Sequence, residues 1–106
     1  MYLLCFYVPE DAVEQVKEAV FAAGAGRIGR YDRCSWQVLG QGQFRPLAGS
    51  NPALGRQGSL EKVLEYKVEM VCDAQYLDAA VRALRAAHPY EEPAWHVLQQ
   101  PDGCGD

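Results

Sequence analysis

Residues 60–71 read LEKVLEYKVEMV, and this stretch decides the fold. Leu64, Tyr66, Val68 and Met70 alternate with Glu65, Lys67 and Glu69, a period of two that belongs to a strand with one apolar and one polar face. Glu61 shares the parity of the charged row. Charges of both signs pairing across strands account for that row without any chemistry.

Downstream, Asp73 stands where a helix N-cap is wanted. Leu77, Ala80, Val81, Leu84 and Ala87 then recur at helical spacing, with Asp78 and Arg82 placed for an i, i+4 pair. Pro89 stops that helix. Residues 93–98 form a last strand, and residues 100–106 read as a disordered tail. Upstream, residues 46–58 (PLAGSNPALGRQG) lack periodicity and are rich in Gly and Pro, which predicts a long flexible loop. Residues 34–40 (CSWQVLG) read as a strand, with QGQF after them as a tight turn into a short extension ending at Pro46. Before these, Tyr2–Val8 is a short apolar run suited to a strand. Pro9 reads as a first-turn proline, with Glu10 and Asp11 at the helix start. Val13, Val16, Val20 and Ala23 carry the apolar stripe to a stop at Gly24.

The order is β-α-β-β-α-β. In a domain of this size it predicts an α+β, ferredoxin-like sandwich: an antiparallel sheet with two helices on one face, as a single domain over residues 1–99. Tyr2–Val8 is apolar at odd and even positions alike, and Trp36 and Val38 oppose Leu39 in parity. Strands that are apolar on both faces need cover on both. A homo-oligomer is therefore expected.

Composition narrows the function classes. The 106 residues suffice for one core, and no apolar run approaches the ~20 residues of a membrane-spanning helix. The first residues lack a basic n-region and a cleavage site, which gives a cytoplasmic expectation. Cys5, Cys34, Cys72 and Cys104 are scattered, with no C-x-x-C pair, and fit neither a zinc ribbon nor a redox motif. Five arginines and one acid, Asp32, fall between Gly24 and Gly58, whereas the remainder holds five basic and thirteen acidic residues. Acidic flanks of this kind argue against nucleic acid, while the basic middle suits one small anion. Ser35, Ser50 and Ser59 have no histidine near them in sequence, nothing has the spacing of a catalytic triad, and no enzyme is indicated.

The segment HPYEEPAWHV, residues 88–97, resembles the H-P-Y-E-x-P segment of the CutA-type proteins. The run GRIGRYDRCSWQVLGQGQFRPLAGSNPALG with GSLEKVLEYKVEMV after it resembles more closely the domain inserted in YqfO-like (NIF-three-like) proteins, over about residues 1–99. The resemblance implies a PII/CutA-like fold, a trimeric assembly, and a role in small-ligand binding or regulation. It implies a free-standing copy of the insert, because the dinuclear metal site of that family belongs to flanking segments that no position here matches. Divalent-metal binding in the CutA manner is one alternative. A structural part that docks onto a larger protein is another.

Three sets of residues bear on chemistry. Gly24–Gly29, GAGRIG, satisfies G-x-G-x-x-G, but it follows a helix and leads to a strand, the reverse of a dinucleotide-binding turn. Arg27, Arg30, Arg33 and Arg56 are candidate ligand residues for a phosphate, carboxylate or nucleotide in a cleft between subunits, weighed against ordinary solvated charge. His88, Glu91, Glu92 and His96 supply N and O donors suited to zinc, copper or nickel. Helix termination accounts for the same segment: His88 is favoured near a helix C-terminus when protonated, and Pro93 turns the chain outward.

Overall fold

The structure is a computed structural model, and it describes residues 1–101. The elements are β1 (Tyr2–Pro9), α1 (Val13–Ala22), β2 (Trp36–Phe44), β3 (Glu61–Cys72), α2 (Ala74–Ala87) and β4 (Trp95–Gln99). Their sheet order is β2-β3-β1-β4, antiparallel throughout. This is the expected α+β, ferredoxin-like arrangement. The tail expected from residue 100 lies outside the described residues from Asp102 onward.

Register fixes which side chains share a face. Leu4 pairs with Met70 and Phe6 with Val68, so even positions of β1 and β3 point the same way. They meet Val13, Val16, Val20 and Phe21 of α1 and Ala80 and Leu84 of α2 in one buried cluster. Both helices therefore cover this one side. Leu77, Val81 and Ala87 pack at its margin, as the helical stripe predicts. The opposite, helix-free face carries Leu3, Cys5 and Tyr7 of β1, Glu65, Lys67 and Glu69 of β3, and Trp36 and Val38 of β2.

Three local expectations are corrected. QGQF is no turn: β2 runs unbroken to Phe44, with Gln41 opposite Leu64 and Gln43 opposite Lys62. Neither Gly40 nor Gly42 has the positive φ of a turn glycine. A Cβ at Gly42 would meet the Glu65 carboxylate, which would have to shift to make room. Pro9 ends β1 opposite Glu65, where a missing ladder donor is tolerated, and a turn of three residues separates it from α1. Asp73 occupies the N-cap of α2, as expected, and its side chain makes no capping bond. Asp78 and Arg82 form no ion pair among the described residues.

Gly24 closes α1 as expected, at φ +115°. A Cβ there would lie 2.6 Å from Tyr76 Cγ, so the residue is held to glycine by both backbone and packing. Gly24→Ala is expected to cost about 1–3 kcal/mol, read as a lower midpoint in urea unfolding at unchanged slope.

A candidate ligand cleft at the end of the sheet

The turn after α2 is built around His88, which is 6% exposed. Its backbone N–H donates to Leu84, closing the helix. Its Nε2 lies 2.6 Å from the carbonyl oxygen of Tyr7, and the Tyr90 N–H donates to its Nδ1 at 3.1 Å. A carbonyl can only accept and an N–H can only donate. The imidazole is thus the neutral tautomer with its proton on Nε2. Burial holds its pKa below the ordinary 6.5, with the Tyr7 carbonyl opposing in part. The expectation of a protonated helix-end histidine is corrected: desolvation on burial favours the neutral ring.

Fixing His88 to β1 places Tyr90 against Phe44 of β2, with ring centroids 5.9 Å apart. Between this turn and the 45–60 segment lies a cleft of about 510 Å³. Phe44, Pro46, Leu54, Tyr7 and Tyr90 give it apolar and aromatic walls, and Glu65 lies among them. The 45–60 segment is closed at its base by Gly58 N–H donating to Pro46 at 2.7 Å, and cross-braced by Gln57 Nε2 donating to the Ser50 carbonyl. Asn51 N–H donates to Glu91 Oε1 at 2.9 Å, which ties the segment to the turn across the cleft mouth.

Glu65 is the distinctive group. Among the described residues no hydrogen bond or ion pair serves its carboxylate. Burial pushes its pKa up. Beside it the Tyr90 hydroxyl is buried with no hydrogen-bond partner. Burial, with the charges of Glu65 and Asp11, raises the pKa of that phenol. Apolar and aromatic walls with a few polar groups, here Glu65 and the Tyr90 hydroxyl, have the composition of a small-molecule site.

The candidates from sequence are distributed differently. Arg33 is bound to Glu18 through Nη2 at 2.6 Å and Nε at 3.2 Å, and to Asp32 at 2.9 Å. The carboxylates hold its pKa up, and Glu18 is lowered in return. Arg27 lies over the Tyr76 ring at 5.7 Å, and Arg30 is exposed. Arg56 belongs to the 45–60 segment, beyond the other end of β2. A nine-residue strand, roughly 30 Å at 3.3 Å per residue, separates it from the other three. One chain therefore does not gather these four arginines. Nor does it gather His88, Glu91, Glu92 and His96. Both nitrogens of His88 are engaged, Glu91 serves Asn51, and His96 is exposed on the helix-free face. Among the described residues no group of three or more His, Cys, Asp or Glu is arranged to hold a metal ion. Glu91 and Glu92 do line the cleft. Sequence reasoning missed Tyr7, Phe44 and Tyr90 as cleft residues; the signal available was glycine at alternate positions of β2, with Gly40 directly opposite Glu65 of β3.

No protein-family model matches the chain. It is 48% identical over 100 residues to a protein of Mycobacterium leprae named GTP cyclohydrolase 1 type 2 homolog, covering 94% of this chain and 26% of that one. A Bacillus cereus protein related to NIF3 superposes with a TM-score of 0.78 at 35% identity, over 92% of this chain and 24% of the other. The chain is homologous to one segment of the NIF3-related proteins. It spans about a quarter of the length of the curated relatives it matches. CutA from Synechococcus elongatus is also similar, with a TM-score of 0.65 at 25% identity, covering 93% of this chain and 75% of that protein. The resemblance to a NIF3-like segment with a CutA-like fold is thereby confirmed. Such neighbours support a small binding module or an insert domain. No described helix is long and apolar enough to cross a membrane.

Proposed function

We propose that the chain is a non-catalytic small-ligand or regulatory binding module that works as a homo-oligomer, a trimer in the PII and CutA manner. The observation that carries the proposal is the cleft between the 45–60 segment and the HPYEE turn, with its unserved Glu65 and Tyr90. Its volume falls within the range of small-molecule sites. The binding unit is residues 1–99, with 46–58 as its adjustable rim.

Tyr7, Glu65 and Phe44 have the parity of the helix-free face, so the cleft opens on the side argued below to meet other copies. A ligand there would be sensed by the assembly. Arg27, Arg30 and Arg56 would contribute to anion binding only where a second copy brings them together. A cytoplasmic location suits the unpaired Cys5, Cys34 and Cys72.

A fragment screen read by thermal shift tests the reading, with Ala53→Trp as the variant that fills the cleft. Fragments that raise the melting temperature of the native chain and fail on Ala53→Trp are expected. Hits that persist in the filled variant, or no hits at all, would contradict it.

A further inference from the structure

The charge of the cleft narrows what it can receive. Arg45 is the one cation among the lining residues, against Glu65, Glu91 and Glu92. Glu91 has an oxygen engaged by Asn51 at the mouth. Glu65 is partly buried, beside Gly42, which leaves space for its carboxylate, and no described donor hydrogen-bonds it. The nearby Lys67 is directed to Glu69 at 3.1 Å instead. The rings of Tyr7, Phe44 and Tyr90 line the same cleft. An unpaired carboxylate favours a cation carrying N–H donors, and aromatic faces favour the same cation over a neutral group. An anion would meet repulsion from Glu65 and find only Arg45 in compensation.

We infer that the cleft receives a small organic cation, an ammonium or amidinium on a flat apolar body, with Glu65 as its counter-ion and the three rings as its walls. The inference rests on the cleft being the ligand site, as proposed above, and adds the chemical class. Ion pairing in a partly desolvated site gives the carboxylate the larger share of the selectivity, and the aromatic walls give the shape.

Three probes of one shape and different charge separate the possibilities: benzamidine, benzamide and benzoate. Each is titrated into the full chain at low salt, with amide chemical shifts followed at Gln43–Leu54, Glu65 and Tyr90–Ala94. Benzamidine is expected to shift these amides, with affinity about ten-fold or more above benzamide and benzoate. Glu65→Gln, which keeps the shape, is expected to remove that preference while the remaining spectrum is unchanged. Stronger binding of benzamide or benzoate at the same amides would overturn the cation and leave the cleft as the ligand site. No shift from any of the three would overturn both. A preference for benzamidine that survives Glu65→Gln would overturn the role of Glu65.

Discussion

His88→Ala is expected to destabilise the chain by about 3–5 kcal/mol, measured by urea unfolding at neutral pH. The imidazole satisfies two backbone groups at once, the Tyr7 carbonyl and the Tyr90 N–H. Each group left unserved in a buried place costs about 1–3 kcal/mol, and the removed ring adds its lost packing. The cleft should loosen along with the fold, because the same residue pins Tyr90, whose ring lies 5.0 Å from the imidazole. The pH dependence has a definite sign. Since the folded pKa is depressed, the unfolded chain takes up a proton first as pH falls below 6.5. The contribution of His88 is therefore full above that pH, declines as pH falls toward the depressed folded value, and levels off beneath it. Protonation would set a new N–H on Nδ1 against the Tyr90 N–H, which is why the folded state resists it. A native chain whose stability is flat from pH 7.5 to 5, or a His88→Ala variant as stable as the native chain, would refute this latch.

Trp36→Glu together with Val38→Glu is expected to convert the proposed oligomer to single chains with the fold intact. Trp36 is 63% exposed, Val38 44% and Leu98 57%, all on the helix-free face. The edge strand β2, WQVLGQGQF, contains neither a charge nor a proline. The opposite edge, β4, WHVLQ, has neither Lys, Arg, Asp, Glu nor proline. Proteins ordinarily protect exposed edges with such residues, so two bare edges beside exposed Trp36, Val38 and Leu98 fit the proposed cover by other copies. Large aromatic side chains dominate the energetics of interfaces of this kind. Introducing a carboxylate at Trp36 desolvates a charge without a partner, and the association constant should fall on the order of 30-fold or more. Because Trp36 and Val38 are already exposed in one chain, its own core is untouched.

Much of the fold was legible because its determinants are local. The alternation in LEKVLEYKVEMV gave β3 its faces, and the spacing of Val13, Val16 and Val20 gave α1 its buried side. Where glycine serves a neighbour, reading it as local punctuation fails. Gly42 suggests a turn in sequence, yet it continues a strand and leaves space for a carboxylate on β3. Pro9 failed likewise, because a strand end and a helix start tolerate proline for the same reason, a dispensable N–H. The HPYEE segment was located correctly as a helix stop. Its contact with β1 was not readable, because Tyr7 and His88 are brought together only by the register of the sheet. The cleft is assembled likewise, from β1, β2, β3 and the turn after α2, so composition alone pointed to the arginines instead. Arg33 shows why that inference was incomplete: its charge is neutralised by Glu18, fifteen residues away.

Sedimentation equilibrium of the native chain, beside the Trp36→Glu/Val38→Glu variant, tests the central claim most directly. The account predicts the mass of three chains for the native protein and of one chain for the variant, with the same circular dichroism for both. A native protein that sediments as a single chain at concentrations up to about 100 μM, well above typical stable-interface dissociation constants, would contradict it.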